Sequence, residues 1–286
     1  MPELPEVQAT VDYLRERVEG CSIIRASVSW GRTVSPLDPS LFETRVAGMT
    51  LTSVFRRGKY IGMELHARTQ AFLFTHLRMS GSLDVVPTNF PIAKHDRVCL
   101  ELNSGKSIRF NDARKFGRMA LCADPETVVG HLGPEPLDQA FTATALERLL
   151  IQRTGKIKPV LLDQSVLAGL GNIYVDEALW KVRVHPQTPA NKLDQKTIIE
   201  LHAAIQGTLH EAIEKLGTDF GDGVVDGGMY KPRVYGREGK RCLRCGEMIT
   251  RLVVAQRGTH ICRFCQKKPR LRKKTALTKG AKEIKR

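Results

Sequence analysis

Two cysteine pairs near the end of the chain limit its fold more than any other feature. Two residues lie between Cys242 and Cys245, and two between Cys262 and Cys265, and sixteen residues separate the pairs. Four thiolates at this spacing close a tetrahedral zinc site with no open coordination position, so one structural zinc ion per chain is expected and no zinc chemistry. Residues 249–255 and 259–261, between the pairs, read as two short strands, which puts Gln256-Arg257-Gly258 at a hairpin tip. A stapled hairpin presenting Arg257 suits a grip on a nucleic-acid backbone; a ribbon used only for folding or protein contact is the alternative. The remaining cysteines, Cys21, Cys99 and Cys122, are scattered. An odd total of seven, with no export signal at the N-terminus, argues against a disulfide framework and for a cytoplasmic protein.

The 286 residues are enough for two domains with separate cores. From Cys21 to Cys122 the pattern is of short β-like runs (22–30, 51–55, 61–65, 71–75, 98–102 and 107–110), with Asn103-Ser104-Gly105 as a hairpin turn. A helix followed by many short strands predicts a β-sandwich or barrel with the helix packed on it. After the Gly/Pro-rich link Gly130–Pro136 the period turns helical, at 142–152, 172–180 and 194–216. Residues 218–231 then carry Gly221, Gly223, Gly227 and Gly228, which predicts a flexible loop. No run of eighteen apolar residues is present, so no membrane contact is expected.

The formal net charge is +15, but ten Lys/Arg against Glu283 alone fall in residues 266–286. This tail reads as disordered, adding non-specific affinity for a polyanion; the body keeps a smaller positive excess.

The chain opens Met-Pro-Glu-Leu-Pro-Glu. Removal of Met1 would make Pro2 the N-terminus. An α-amine has a pKa of about 7.7–8.0, against about 10.4 for lysine, so a neutral, nucleophilic fraction exists at physiological pH. Pro5 marks a helix start, whose positive end lowers the amine further. Such an amine forms Schiff bases, and Glu3 and Glu6 lie within reach to move protons or orient it. An ordinary capped helix entry is the plain alternative. The turn Ala168-Gly169-Leu170-Gly171 opens a helix at Asn172, either as a phosphate site made of free amides or as a tight turn with an Asn cap. Lys59, at a strand start, is either a solvated edge residue or part of the chemistry. Met79, and Arg114 with Phe116 two residues on, are either ordinary core and surface residues or side chains that enter a duplex where a base has been extruded.

The motifs MPELPE, HLRMSGSL, DARKFGR, HLGPEP, GLGNIY and VAQRGTH stand in one order along the chain, and in that order they resemble the bacterial formamidopyrimidine-DNA glycosylase family (Fpg, or MutM). The resemblance runs from Met1 to the last cysteine pair. It implies an α+β fold: an N-terminal β-sandwich with flanking helices (1–135), a helix-two-turn-helix domain with a glycine-rich loop (136–233), a zinc-finger hairpin (234–265) and the tail (266–286). It implies a monomeric base-excision-repair glycosylase and AP lyase acting on double-stranded DNA with oxidised bases or abasic sites. Pro2 is then the nucleophile and Glu3 the general acid/base. Glu6 helps hold the amine and sugar, Lys59 assists ring opening and β-elimination, and Arg257 grips phosphate for the second elimination. Met79, Arg114 and Phe116 fill the gap left by the flipped base. His95, Arg153, Lys158 and Asn172 are expected on the phosphate backbone, and Cys242, Cys245, Cys262 and Cys265 on the zinc. Two features depart from the family: a short segment from Thr218 to Val234 and a long basic tail. The first leaves oxidised pyrimidines, the substrates of the related Nei-type enzymes, as an alternative to oxidised purines; a non-catalytic zinc-containing DNA-binding protein is the other alternative.

Overall fold

The computed structural model describes residues 2–218 and 228–268. Most of the glycine-rich segment and nearly all of the basic tail lie outside the described residues, as do the expectations that fall on them.

Helix α1 (Leu4–Val18) carries Pro5 in its first turn and buries Val7, Val11, Leu14 and Val18, three and four residues apart, as one apolar face. That face packs on a sandwich of two antiparallel sheets. One sheet has the order β1 (Ile23–Val28), β6 (Asp96–Leu102), β7 (Lys106–Asp112), β5 (Gly81–Pro87). The other runs β2 (Thr50–Arg57), β3 (Tyr60–His66), β4 (Gln70–His76), β8 (Arg118–Cys122). Their inner faces share a core that includes Leu51, Ile61, Met63, Leu73, Val98, Leu100, Ile108 and Phe110. A second helix on the sandwich, α2 (Pro39–Val46), was not expected from the apolar period. It has only eight residues, and Asp38 starts it by accepting from the Ser40 amide at 2.9 Å.

After the short α3 (Glu126–Val129), four helices build a second core: α4 (Ala143–Ile151), α5 (Ile157–Leu162), α6 (Asn172–Lys181) and α7 (Gln195–Glu214). Thr142 and Asp194 cap α4 and α7 by accepting from the amides of Ala145 and Thr197. Helix α6 is central, and every residue from Ile173 to Trp180 is buried, Asp176 and Glu177 included. Leu4 belongs to this second core although the rest of α1 packs in the first, so the start of the chain lies where the two cores meet.

A third, small cluster joins Trp180, Val234, Cys242, Ile249 and Cys262. It carries the hairpin of β9 (Ile249–Val254) and β10 (Arg257–Cys262). The turn residues are Ala255 and Gln256, both left-handed at φ 47° and 59°, as a two-residue hairpin turn requires. Arg257 is therefore not at the tip but opens β10 opposite Val254. Among the described residues no helix is long and apolar enough to cross a membrane.

Candidate active site and nucleic-acid interface

Pro2 and Glu3 are buried at the seam between the two main cores. The Leu4 amide donates to the Gly169 carbonyl at 3.1 Å, tying the start of α1 to the glycine turn before α6. The Glu3 carboxylate faces the N-terminus of α6, accepting from the amides of Ile173 at 3.0 Å and Tyr174 at 3.4 Å. The anion on this helix terminus is thus a protein carboxylate. The Ile173 and Tyr174 amides are therefore not free, and the residue that caps α6 is Gly171, not Asn172.

Gly171 makes this approach possible. A Cβ at position 171 would lie 2.2 Å from Cδ of Glu3 and 2.4 Å from its Oε1. Gly217, left-handed at φ 86°, does the same for Glu6, whose Cγ and Oε1 would both be 2.8 Å from an added Cβ. Glu6 accepts from the Glu3 amide at 2.8 Å, the Thr218 amide at 2.8 Å and the Tyr174 hydroxyl. With these donors on it, Glu6 ties the backbone at Glu3 to that at Thr218.

Gly171→Ala is expected to cut turnover about 100-fold, because an ångström-scale misplacement of a reacting group costs that much. Single-turnover excision, with circular dichroism to verify folding, measures this. A fully active Gly171→Ala protein would mean that Glu3 does not need its place.

Lys59 is only 7% exposed. It sits in the β2–β3 turn, which is pinned to the link before the helical domain: Glu135 accepts from the Gly58 amide at 2.5 Å and pairs with Arg56 at 2.6 Å and Arg57 at 3.0 Å. Burial lowers the Lys59 ammonium below the ordinary lysine range, although the Glu3 and Glu6 charges pull it back up. Burial also raises Glu3 to about 7, against the opposing pull of Lys59. Desolvation outweighs mutual attraction at both ends of this pair. The outcome is a carboxyl that gains and loses its proton near neutral pH beside a weakened ammonium. His76, on β4, is pushed down to about 3 by burial and by Arg78 and Lys59, so it stays neutral and accepts from the Arg78 amide at 3.0 Å.

The residues expected on DNA divide into two groups. Met79, Arg114, Phe116, Arg153 and Arg257 are exposed, with Met79 at 40% and Phe116 at 49%; the Arg114 guanidinium lies 5.1 Å from the Phe116 ring centre. His95 is half-buried beside Arg97 at 3.2 Å. Lys158 departs from expectation. It is fully buried, paired with Asp176 at 2.6 Å, and donates to the Gly258 carbonyl at 3.1 Å. Asn172 donates to the same carbonyl at 2.9 Å. In this structure both residues hold the zinc hairpin against α6, Lys158 fully buried and Asn172 half-buried.

The other Asp176 oxygen accepts from the His260 amide at 2.9 Å, and Glu177 accepts from the amides of Arg233, Val234 and Tyr235 at 2.7–2.9 Å. Helix α6 therefore sets both the linker and the hairpin that follows it. The sequence reading missed Asp176, Glu177 and Tyr174. Two adjacent acids within an otherwise apolar helix were the signal available.

The four cysteine sulfurs lie within 4.8 Å of one another. Tetrahedral zinc with Zn–S of about 2.3 Å places sulfurs ~3.8 Å apart, so the cluster fits that ion. Arg244 completes this end of the molecule, its guanidinium 4.2 Å over the Trp180 ring and donating to the last carbonyls of α6.

Comparison with known proteins agrees with this layout. Residues 1–119 match the profile of the formamidopyrimidine-DNA glycosylase N-terminal domain, 132–222 that of its H2TH domain, and 239–268 that of a zinc finger found in FPG and IleRS. The formamidopyrimidine-DNA glycosylase of Protochlamydia amoebophila is 42% identical, over 94% of this chain and 100% of its own. That of Bacillus subtilis is 39% identical over the same shares. Among solved structures, MutM in complex with DNA containing carbocyclic 8-oxo-G superposes with a TM-score of 0.85 at 36% identity, and Lactococcus lactis Fpg with abasic-site DNA at 0.86 and 35%. Each covers 93% of this chain and 100% of the solved one. An N-terminal β-sandwich, a helical H2TH unit and a four-cysteine zinc hairpin, matched along nearly the whole length, make the chain a member of the formamidopyrimidine-DNA glycosylase family.

Proposed function

We propose that this bifunctional glycosylase and AP lyase removes oxidised purines, 8-oxoguanine and formamidopyrimidines, from double-stranded DNA, working as a monomer in the bacterial cytoplasm at the nucleoid. The observation that carries the reading is the buried Glu3 carboxyl, raised to about 7 beside Lys59 and next in sequence to Pro2. A base inside a duplex hides its C1′, so the nucleotide must be swung out first, at a cost of a few kcal/mol that inserted side chains offset. The Pro2 nitrogen, freed of Met1, then attacks C1′; Glu3 delivers its proton as the ring opens, and the base leaves. Lys59 assists ring opening and β-elimination. Arg257, exposed at the start of β10, binds the phosphate that departs in the second elimination. Arg114 faces the orphaned base with Phe116 and Met79 beside it, and His95 and Arg153 hold the backbone.

The supporting structures include Lactococcus lactis Fpg with N7-benzyl-Fapy-dG DNA, and also the same protein with DNA carrying an oxidised pyrimidine. The second favours a wider substrate range. Borohydride added during incubation with 8-oxoguanine, formamidopyrimidine and dihydrouracil duplexes tests both points. The expected result is a covalent adduct that peptide mass mapping assigns to Pro2, strongest for the two purines. An adduct on any lysine, or a mature chain that retains Met1 while cutting normally, would overturn the assignment.

A further inference from the structure

The loops that carry the duplex-entering side chains meet at one buried carboxylate. Asp112, the last residue of β7, is 1% exposed. Its Oδ1 accepts from the Ser80 hydroxyl at 2.5 Å and the Arg114 amide at 3.1 Å, and its Oδ2 accepts from the Gly117 amide at 2.7 Å. The Arg114 amide also reaches the Ser80 hydroxyl at 3.2 Å. Asp112 therefore clamps both ends of the 113–117 loop, while Ser80, directly after Met79, supplies a side-chain link to the neighbouring loop. The backbone of Asp112 is itself fixed, its amide to the His95 carbonyl at 2.9 Å and its carbonyl to Nε of Arg97 at 2.8 Å.

Both loops also hold a strained residue just before their apolar side chain. Arg78 is left-handed at φ 56° ahead of Met79, and Lys115 at φ 60° ahead of Phe116. Such a conformation is unfavourable for a residue with a Cβ and persists only where its surroundings impose it. For Lys115 one such constraint is visible: its ammonium lies 4.0 Å from the centre of the Trp30 ring.

We propose that Ser80 and Asp112 join the Met79 loop and the Arg114–Phe116 loop into one insertion unit, so that the two sets of side chains enter the duplex together. Hydrogen bonds to an ionised acceptor are about twice as strong as neutral ones, and leaving a buried carboxylate short of a donor adds a desolvation penalty. Neither loop can shift alone without breaking such a bond. Ser80 is a positioning residue here, acting through Asp112 and the Arg114 amide. The proposal rests on the reading that Met79 and Phe116 enter DNA.

A double-mutant cycle in two backgrounds tests it. Met79→Ala, Phe116→Ala and the double variant are compared with Ser80 present and with Ser80→Ala, following base extrusion by stopped-flow fluorescence of a base analogue placed beside the lesion. With Ser80, each single substitution is expected to slow extrusion about tenfold and the double scarcely more than the worse single, since residues acting as a unit are non-additive. With Ser80→Ala the two effects should multiply. Asp112→Asn, which weakens the same link from the other side, should also turn the cycle additive. Effects that multiply in both backgrounds would overturn the coupling while leaving insertion intact. Single variants that extrude at the parental rate would remove the insertion reading, and the coupling with it.

Discussion

Glu3→Gln is expected to lower single-turnover excision by roughly 10²–10⁴-fold, the usual contribution of a positioned acid/base, and at the same time to stabilise the fold at alkaline pH. Both effects have one cause. Burial raises the carboxyl from an ordinary 4.5 to about 7, despite the nearby ammonium of Lys59 and the two α6 amides that favour its charged form. Below about pH 4.5 the group is protonated in the folded and unfolded chain alike and costs nothing. Between 4.5 and 7 the folded chain keeps a proton that the unfolded chain has released, so stability falls as pH rises. Above 7 the full penalty stands, about 3 kcal/mol for a shift of this size. Glutamine keeps an acceptor for the Ile173 amide and has no proton to lose. The melting temperature of Glu3→Gln should therefore exceed the parent's by several degrees at pH 8 and by little at pH 5. An advantage of equal size at both pH values would show that Glu3 does not titrate near neutrality, and the acid role would fall with it.

How far the sequence could be read follows from how local each signal is. The α1 face, the Asn103-Ser104-Gly105 turn between β6 and β7, the capped helices α4 and α7 and the four cysteines are all set by spacing within a few residues, and all stand in the structure. Glu3 and Lys59 could be singled out as residue types, but their perturbed protonation depends on chain segments far apart in sequence. Gly171 reads as a turn former; only the fold shows that the missing Cβ makes room for a carboxylate from the other end of the chain. The surroundings of Lys158 were hidden for the same reason. The resemblance implied a phosphate contact for Lys158; its partners in the fold, Asp176 and Gly258, are 18 and 100 residues away. The reading of Arg257 was off by one turn position, since Ala255-Gln256 offers neither the Asn nor the Gly that normally marks a left-handed hairpin turn.

Removing the zinc should disable DNA binding while leaving most of the molecule folded. The hairpin's core is only Trp180, Val234, Cys242, Ile249 and Cys262, with Cys245 and Cys265 against it. So few apolar side chains cannot order the segment, and structural zinc sites supply about 10–16 kcal/mol of apparent binding energy that becomes folding energy. The sandwich and helical cores contain none of these residues and should persist. The damage nevertheless reaches α6. Once Gly258 and His260 move away, Lys158 keeps only Asp176, and Asp176 loses its amide donor, leaving a buried ion pair with fewer bonds. Cys262→Ser, or treatment with a strong chelator, should thus release the metal, alter the near-ultraviolet signal of Trp180 and, if Arg257 grips phosphate as proposed, weaken duplex binding at least about 100-fold. Far-ultraviolet circular dichroism should change little. Arg257→Ala in zinc-loaded protein separates the parts: it should weaken phosphate contact and the second elimination without disturbing Trp180. Metal-stripped protein that still binds and nicks lesion duplex at the parental rate would show that the hairpin is no clamp.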